Sequence, residues 1–149
     1  MFSRLLFSNE SDLEISIKKG ISLYKKATCN SCHFWHANGG NSHGGAAPSL
    51  RTTTLSKSEL LRIIKCGRVG TNMPFFSRDY KINNNCKNVK SNINNEDHMF
   101  SVKGSVLLSD NEINYLVRFI RNEIQNIPIT KTFCIEYFKK NNNICKKLK

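Results

Sequence analysis

The sequence predicts an all-α protein. Three stretches open with a Ser-x-x-Glu box followed by apolar residues at helical spacing, and no stretch alternates apolar and polar residues as a half-buried strand does. The segments between them are polar and rich in Gly, Asn and Ser. The first box is Ser11-Asp12-Leu13-Glu14, behind which Leu13, Ile17, Ile21 and Tyr24 recur on one face. The second, Ser56-Lys57-Ser58-Glu59, leads into Leu60, Leu61, Ile63 and Ile64 and stops at Gly67, a residue suited to a helix C-terminus. The third, Ser109-Asp110-Asn111-Glu112, precedes a stripe of Ile113, Leu116, Val117, Ile120 and Ile124, with Pro128 just past its end. Two long loops remain, 37–47 and 81–104, the second containing Asn83-Asn84-Asn85 and Asn94-Asn95. Loops of that length are usually functional or tied down by a covalent or cofactor constraint.

A chain of 149 residues with 39% hydrophobic content suffices for one domain with a modest core. We expect a single domain over 1–149, with a core over about residues 10–126 and a C-terminal extension over 127–149. No apolar run is long enough to span a bilayer. The opening Met1–Phe7 is too short, and too soon interrupted by Asn9 and Glu10, to be a full signal peptide; its lack does not argue for a cytosolic protein. The net charge is +12. The positive residues are spread along the chain, and only 131–149, with six Lys and one Glu, concentrates them. Such a surface suits an acidic protein partner better than nucleic acid.

The six cysteines form two unlike groups. Cys66, Cys86, Cys134 and Cys145 are scattered, and an even remainder of four implies two disulfides and an oxidising compartment. Four cysteines allow three pairings; Cys66–Cys86 with Cys134–Cys145 is the set that closes two short loops. Cys29 and Cys32 belong instead to Cys29-Asn30-Ser31-Cys32-His33, the C-x-x-C-H pattern of covalent haem attachment. Two thiols three positions apart at a helix end reach the two vinyl groups on one porphyrin edge, and the next residue, His33, is directed at the iron. A zinc site would need two further Cys or His ligands in a matching knuckle. A thioredoxin-like redox pair would need a preceding strand, whereas the residues before Cys29 read as helix.

With these residues the sequence resembles class I c-type cytochromes over most of residues 10–126, of the extended kind that accompanies periplasmic dehydrogenases. The resemblance implies a cytochrome c fold, in which N- and C-terminal helices cross beside one haem c. Gly20 and Tyr24 match the glycine and aromatic that precede the motif, and Phe119 the aromatic that meets that glycine. Pro48, in Ala46-Ala47-Pro48-Ser49-Leu50, matches the proline whose carbonyl accepts the histidine Nδ1–H. Gly70-Thr71-Asn72-Met73 matches the segment that supplies the sixth iron ligand, Met73. A methionine beside Pro74-Phe75-Phe76 also suits plain core packing, and His36, His43, His98 and Met99 are the other candidates for the sixth position. Trp35 suits either the haem edge or the core, and Arg51 either a haem propionate or solvent.

With both axial positions filled, the iron has no open site for oxygen chemistry. The resemblance therefore implies an electron-transfer protein rather than an enzyme: a soluble, exported, monomeric one-electron carrier in a periplasmic respiratory or dehydrogenase-linked chain. Its partners would be acidic redox proteins, a dehydrogenase or cytochrome complex as donor and an oxidase or another cytochrome as acceptor. The alternatives are a haem subunit of a dehydrogenase complex, or a haem-based sensor if Met73 is not a stable ligand. Lys25 and Lys26 before the motif, and Lys65, Arg68, Arg78 and Lys81 around the Met73 loop, are expected to ring the docking edge. Lys146, Lys147 and Lys149 are distant in sequence from the haem ligands and serve as the control for net charge.

Overall fold

The first helix, α1 (Phe7–Lys26), runs antecedent to everything that builds the site. The structure is a computed structural model describing residues 7–43, 45–80, 86, 102–140 and 142–148, with side chains from residue 17 onward. Lys81, His98, Met99 and Lys149 lie outside the described residues, as does most of the loop over 81–104. Helix α1 begins upstream of Ser11, so the first Ser-x-x-Glu box lies inside the helix rather than at its start. Ser and Asp within a helix each cost only a few tenths of a kcal/mol, roughly 0.5 relative to Ala, so the box does not force a boundary there.

The other two boxes do begin helices. In α3 (Lys57–Cys66) the Ser56 hydroxyl accepts the Glu59 N–H at 3.3 Å while Glu59 Oε2 accepts the Ser56 N–H at 2.8 Å. In α4 (Asp110–Phe119) Ser109 and Glu112 repeat the exchange at 3.3 and 2.8 Å. Both helices bury one stripe: Leu60 and Ile64 from α3, and Ile113, Leu116, Val117 and Phe119 from α4. Helix α4 continues into a π-helical turn, Ile120–Ile124, whose Ile120 and Ile124 are buried, closed by the Gln125 N–H on the Ile120 carbonyl at 2.7 Å. A short helix, α2 (Asn30–His33), carries the Cys-x-x-Cys-His motif.

The expectation of no strands does not hold. β1 (Gly40–Ser42) and β2 (Gly45–Ala47) pair antiparallel, Gly40 opposite Ala47. β3 (Phe75–Ser77) and β4 (Lys103–Leu108) pair parallel with an irregular register, Phe75 opposite Lys103 and Ser77 opposite Leu108. Three of the four strands have three residues, too few to show a period, and the fourth ends in the unbroken apolar run Val106-Leu107-Leu108.

Helix α1 packs on α4, and α3 packs on both α4 and β3. Where α1 meets α4, a Cβ built on Gly20 would lie 2.1 Å from the ring of Phe119, so only glycine admits that approach. One carboxylate ties this crossing together: Glu112 meets Lys26 at 2.5 Å and Arg78 at 3.8 Å.

The C-terminal segment is part of the core. Helix α5 (Lys131–Phe138) packs on α1, burying Phe133 and Tyr137, and the Phe133 ring stacks on Phe119 with centroids 6.3 Å apart. Helix α6 (Asn143–Lys146) is joined back to α5 by the Cys134–Cys145 disulfide, both cysteines fully buried. A second disulfide joins Cys66, the last residue of α3, to Cys86. Among the described residues no helix is long and apolar enough to cross a membrane.

Candidate haem site

The motif is delivered by the end of α1. The chain leaves the helix through Thr28, at φ 54, and leaves α2 through Phe34, at φ 61. Two non-glycine residues in the left-handed region bracket four residues of helix. Each such residue costs on the order of 1–3 kcal/mol and persists only where its surroundings over-determine it. The surroundings do so here: Cys29 N–H donates to the Tyr24 carbonyl at 3.0 Å and His33 N–H to the Cys29 carbonyl at 2.8 Å. Tyr24, buried on α1, donates its hydroxyl to the Phe34 carbonyl at 2.9 Å. The turn that exposes the motif is thus held from both sides.

His33 is buried, and its Nδ1 lies 2.9 Å from the Pro48 carbonyl oxygen. A carbonyl only accepts, so Nδ1 carries the proton and Nε2 keeps its lone pair free for a metal. Burial lowers the pKa of His33, with the Pro48 hydrogen bond opposing it, and the neutral form that ligation requires is favoured. The β1–β2 hairpin sets the position of Pro48, which directly follows Ala47 of β2.

Cys29, Cys32, His33, Pro48 and Met73 line one cavity of about 340 Å³. Its wall is otherwise largely apolar, with Leu50, Leu55, Leu60, Ile64, Phe76 and Ile120. Cys29 and Cys32 are the cysteines outside the two disulfides. Burial pushes the Cys29 thiol up to about 12, the reverse of the lowered pKa that a nucleophilic redox cysteine needs. Two thiols, a histidine with a free Nε2 and a thioether on one apolar wall fit the donor set of a covalently attached haem.

Met73 reaches the cavity from a tight loop after α3. Arg68 N–H donates to the Met73 carbonyl at 3.0 Å, and Thr71 N–H donates back to the Arg68 carbonyl at 3.1 Å. The Thr71 hydroxyl donates to the same Arg68 carbonyl at 2.7 Å and accepts the Met73 N–H at 3.2 Å. Gly70 sits at φ +74 with nothing within 4 Å of where a Cβ would stand, so the turn selects glycine by conformation alone. The Cys66–Cys86 bond anchors the end of α3 from which this loop departs.

Several residues singled out in the sequence take other roles. His36 and His43 are not on the cavity wall; His36 Nδ1 accepts the Asn38 N–H at 3.1 Å and His43 is exposed. Trp35 also faces away, packing on Phe138 and Tyr137 of α5 with centroids 5.1 and 6.0 Å apart. Arg51 is neither solvated nor on the cavity wall. It is buried, donates to the His36 and Ile127 carbonyls at 2.6 and 2.5 Å, and lies over the Phe133 ring. Two of these partners, Ile127 and Phe133, lie far along the chain, which is why burial of Arg51 had no local signal.

The expected ring of cations is also altered. Lys26 and Arg78 are taken by Glu112, and Lys65 by Asp110 at 2.9 Å, while Arg68 lines the cavity. Lys25 donates to the Tyr137 carbonyl and stands 4.2 Å above that ring. The hydrogen bonds of the Thr71 and Tyr24 hydroxyls, and the place of Ile120 on the cavity wall, are details that the sequence patterns containing these residues did not specify.

Residues 16–88 match the family described as cytochrome C oxidase, cbb3-type, subunit III. No curated protein and no solved structure matches the chain. The matched segment spans the motif, Pro48, the Met73 loop and Cys86. The family match supports a c-type cytochrome, a haem-bearing electron-transfer protein, and the helical architecture with its short strands is compatible with a cytochrome c fold.

Proposed function

We propose that the chain is a monohaem class I cytochrome, with a cytochrome c fold, acting as a one-electron carrier. In this reading Cys29 and Cys32 would hold the haem by thioether bonds, and His33 and Met73 would be the residues that bind its iron. The observation that carries it is the convergence of these four side chains on one apolar cavity. A haem bound there supplies reversible one-electron chemistry at iron. The chain's own residues supply the rest. The Pro48 carbonyl holds the His33 proton on Nδ1, and the apolar wall excludes water. The Thr71 and Arg68 hydrogen bonds fix the backbone that presents Met73. A neutral thioether favours ferrous iron and raises the reduction potential, and a filled sixth position leaves no place for oxygen.

The cytochrome would be exported, monomeric and periplasmic, as two disulfides require an oxidising compartment. Its partners would be redox proteins of a respiratory or dehydrogenase-linked chain. A second reading, a haem subunit acting inside a larger complex, is favoured by the description of the matched family, which names an oxidase subunit.

The sixth ligand tests the carrier reading. Ferric protein should show the weak far-red charge-transfer band of a sulfur-ligated haem, and ferrous protein should not bind carbon monoxide. Met73→Ala should abolish the band, open the site to carbon monoxide and lower the potential. Persistence of the band in Met73→Ala would move the ligand to Met99, and carbon monoxide binding by the unaltered protein would favour a sensor.

A further inference from the structure

The C-terminal pair of helices lies far along the sequence from Cys29, Cys32 and His33. The structure nonetheless sets α5 against the end of α1 that delivers Cys29. Tyr137 of α5 receives the Lys25 ammonium on its carbonyl and its ring. Four residues on, Cys29 N–H is bonded to the Tyr24 carbonyl. Helix α5 thus packs on the last turn of α1, the turn that leads into the Cys-x-x-Cys-His motif.

The hairpin of α5 and α6 is rigidly built. The Thr130 hydroxyl caps α5 by accepting the Phe133 N–H at 3.1 Å. Asn142 caps α6, its Oδ1 accepting the N–H groups of Ile144 and Cys145 at 3.0 Å each. The disulfide between the buried Cys134 and Cys145 locks the two helices together, and Phe133 docks them on the core. Its surface is cationic. Lys139, Lys140, Lys146 and Lys147 are exposed, and the one acidic residue between 131 and 149, Glu136, is already engaged by Lys139 at 2.8 Å. Lys140, Lys146 and Lys147 have no ion-pair partner among the described residues. Ile144 stands among them, one of the two large hydrophobic residues that are well exposed among the described residues. Burial, and then the charge of Lys139, lowers the pKa of Lys25, which places Lys25 within the field of this group.

Among the cations expected around the motif, Lys26 and Arg78 share the single charge of Glu112 and Lys65 pairs with Asp110, while Arg68 lines the cavity. Like charges held together by a disulfide and two caps are repulsive in the free protein. An anionic surface removes that repulsion and gains the new attractions.

We infer that the disulfide-linked pair of helices α5 and α6, with Lys25, forms a docking surface for an acidic protein at the end of α1. The inference rests on the electron-carrier reading only for the partner's role in electron transfer.

The test compares two triple variants of the full-length protein with equal change in net charge. One reverses the patch, Lys140→Glu, Lys146→Glu and Lys147→Glu. The other reverses exposed cations elsewhere, Lys57→Glu, Arg118→Glu and Arg121→Glu. Poly-L-glutamate is the acidic probe and phosphatidylglycerol vesicles the lipid probe, at low and at high salt. The patch triple should weaken polyglutamate binding about tenfold more than the control triple, with the difference lost at high salt. Both triples should bind vesicles alike. Equal losses for polyglutamate would mean net charge alone and would overturn the docking surface, as would a patch effect confined to vesicles, which would assign the surface to a membrane. Intact mass on the same samples reports haem separately, so patch-dependent binding by a haem-free chain would refute the carrier reading and uphold the surface.

Discussion

Replacing Gly20 by alanine probes the crossing on which the site is built. Taken locally, the change should stabilise, because alanine in a helix interior is favoured over glycine by about 1 kcal/mol. The packing says otherwise. The new methyl carbon would stand 2.1 Å from Cγ and Cδ2 of Phe119 and 2.7 Å from its Cβ. Carbon atoms in contact prefer about 3.5–4.0 Å, so the two helices must part by roughly 1.5 Å. The ring has nowhere to turn, being 1% exposed and stacked on Phe133. Overpacking of this kind costs on the order of 1–3 kcal/mol. Taking the upper end, because the ring is boxed in, the net loss is about 2 kcal/mol. With a urea slope of about 2 kcal/mol per M, the midpoint of unfolding should fall by about 1 M. Adding Phe119→Leu to Gly20→Ala should cost less than the two changes made singly, a coupling that only neighbours show. A midpoint for Gly20→Ala equal to or above that of the unaltered protein would refute the close crossing.

Two further outcomes follow from the same structure. Removing the C-terminal disulfide with Cys134→Ala and Cys145→Ala opens a loop with a sequence separation of 11, for which loop-closure entropy predicts a loss of about 3 kcal/mol in a urea titration; no loss would mean that the buried packing of α5 alone holds the hairpin. Hydrogen bonds from Lys26, then from the Ser109 backbone, depress the Glu112 pKa to about 2. A depressed carboxylate contributes stability that is complete above the unfolded value of about 4.3 and is lost as pH falls toward the folded value. Thermal unfolding of Glu112→Gln should therefore lie below the unaltered protein at pH 7 and converge on it toward pH 2, whereas a constant gap across that range would place the effect of Glu112 elsewhere than in its charge.

How much of this was legible in the sequence depends on how local each determinant is. The boxes at Ser56 and Ser109 could be seen because both hydrogen bonds of a capping box lie within four residues. The same letters at Ser11 misplaced the start of α1, since a helix tolerates them inside as well as at its end. The pairing of β3 with β4 joins segments separated by the long polar loop, and strands of three residues leave no period to find. The haem motif is a five-residue pattern and needed no fold to be noticed. Arg51, Trp35 and Lys25 each have a partner in the C-terminal segment, whose apolar residues Phe133, Tyr137 and Phe138 give no sign in the sequence of where they pack. The π-helical turn at Ile120–Ile124 had no signal of its own, because its apolar spacing continues that of α4.

The central claim is that Cys29 and Cys32 carry a haem covalently. Its most direct measurement is the intact mass of protein produced alongside cytochrome c maturation machinery, after acid extraction that removes loosely bound haem, together with alkylation of free thiols. The account predicts a mass raised by one haem, retained through extraction, with Cys29 and Cys32 both inaccessible to alkylation and Cys29→Ser with Cys32→Ser lacking the added mass. A protein of unmodified polypeptide mass whose Cys29 and Cys32 both take up the alkylating reagent after unfolding would contradict it.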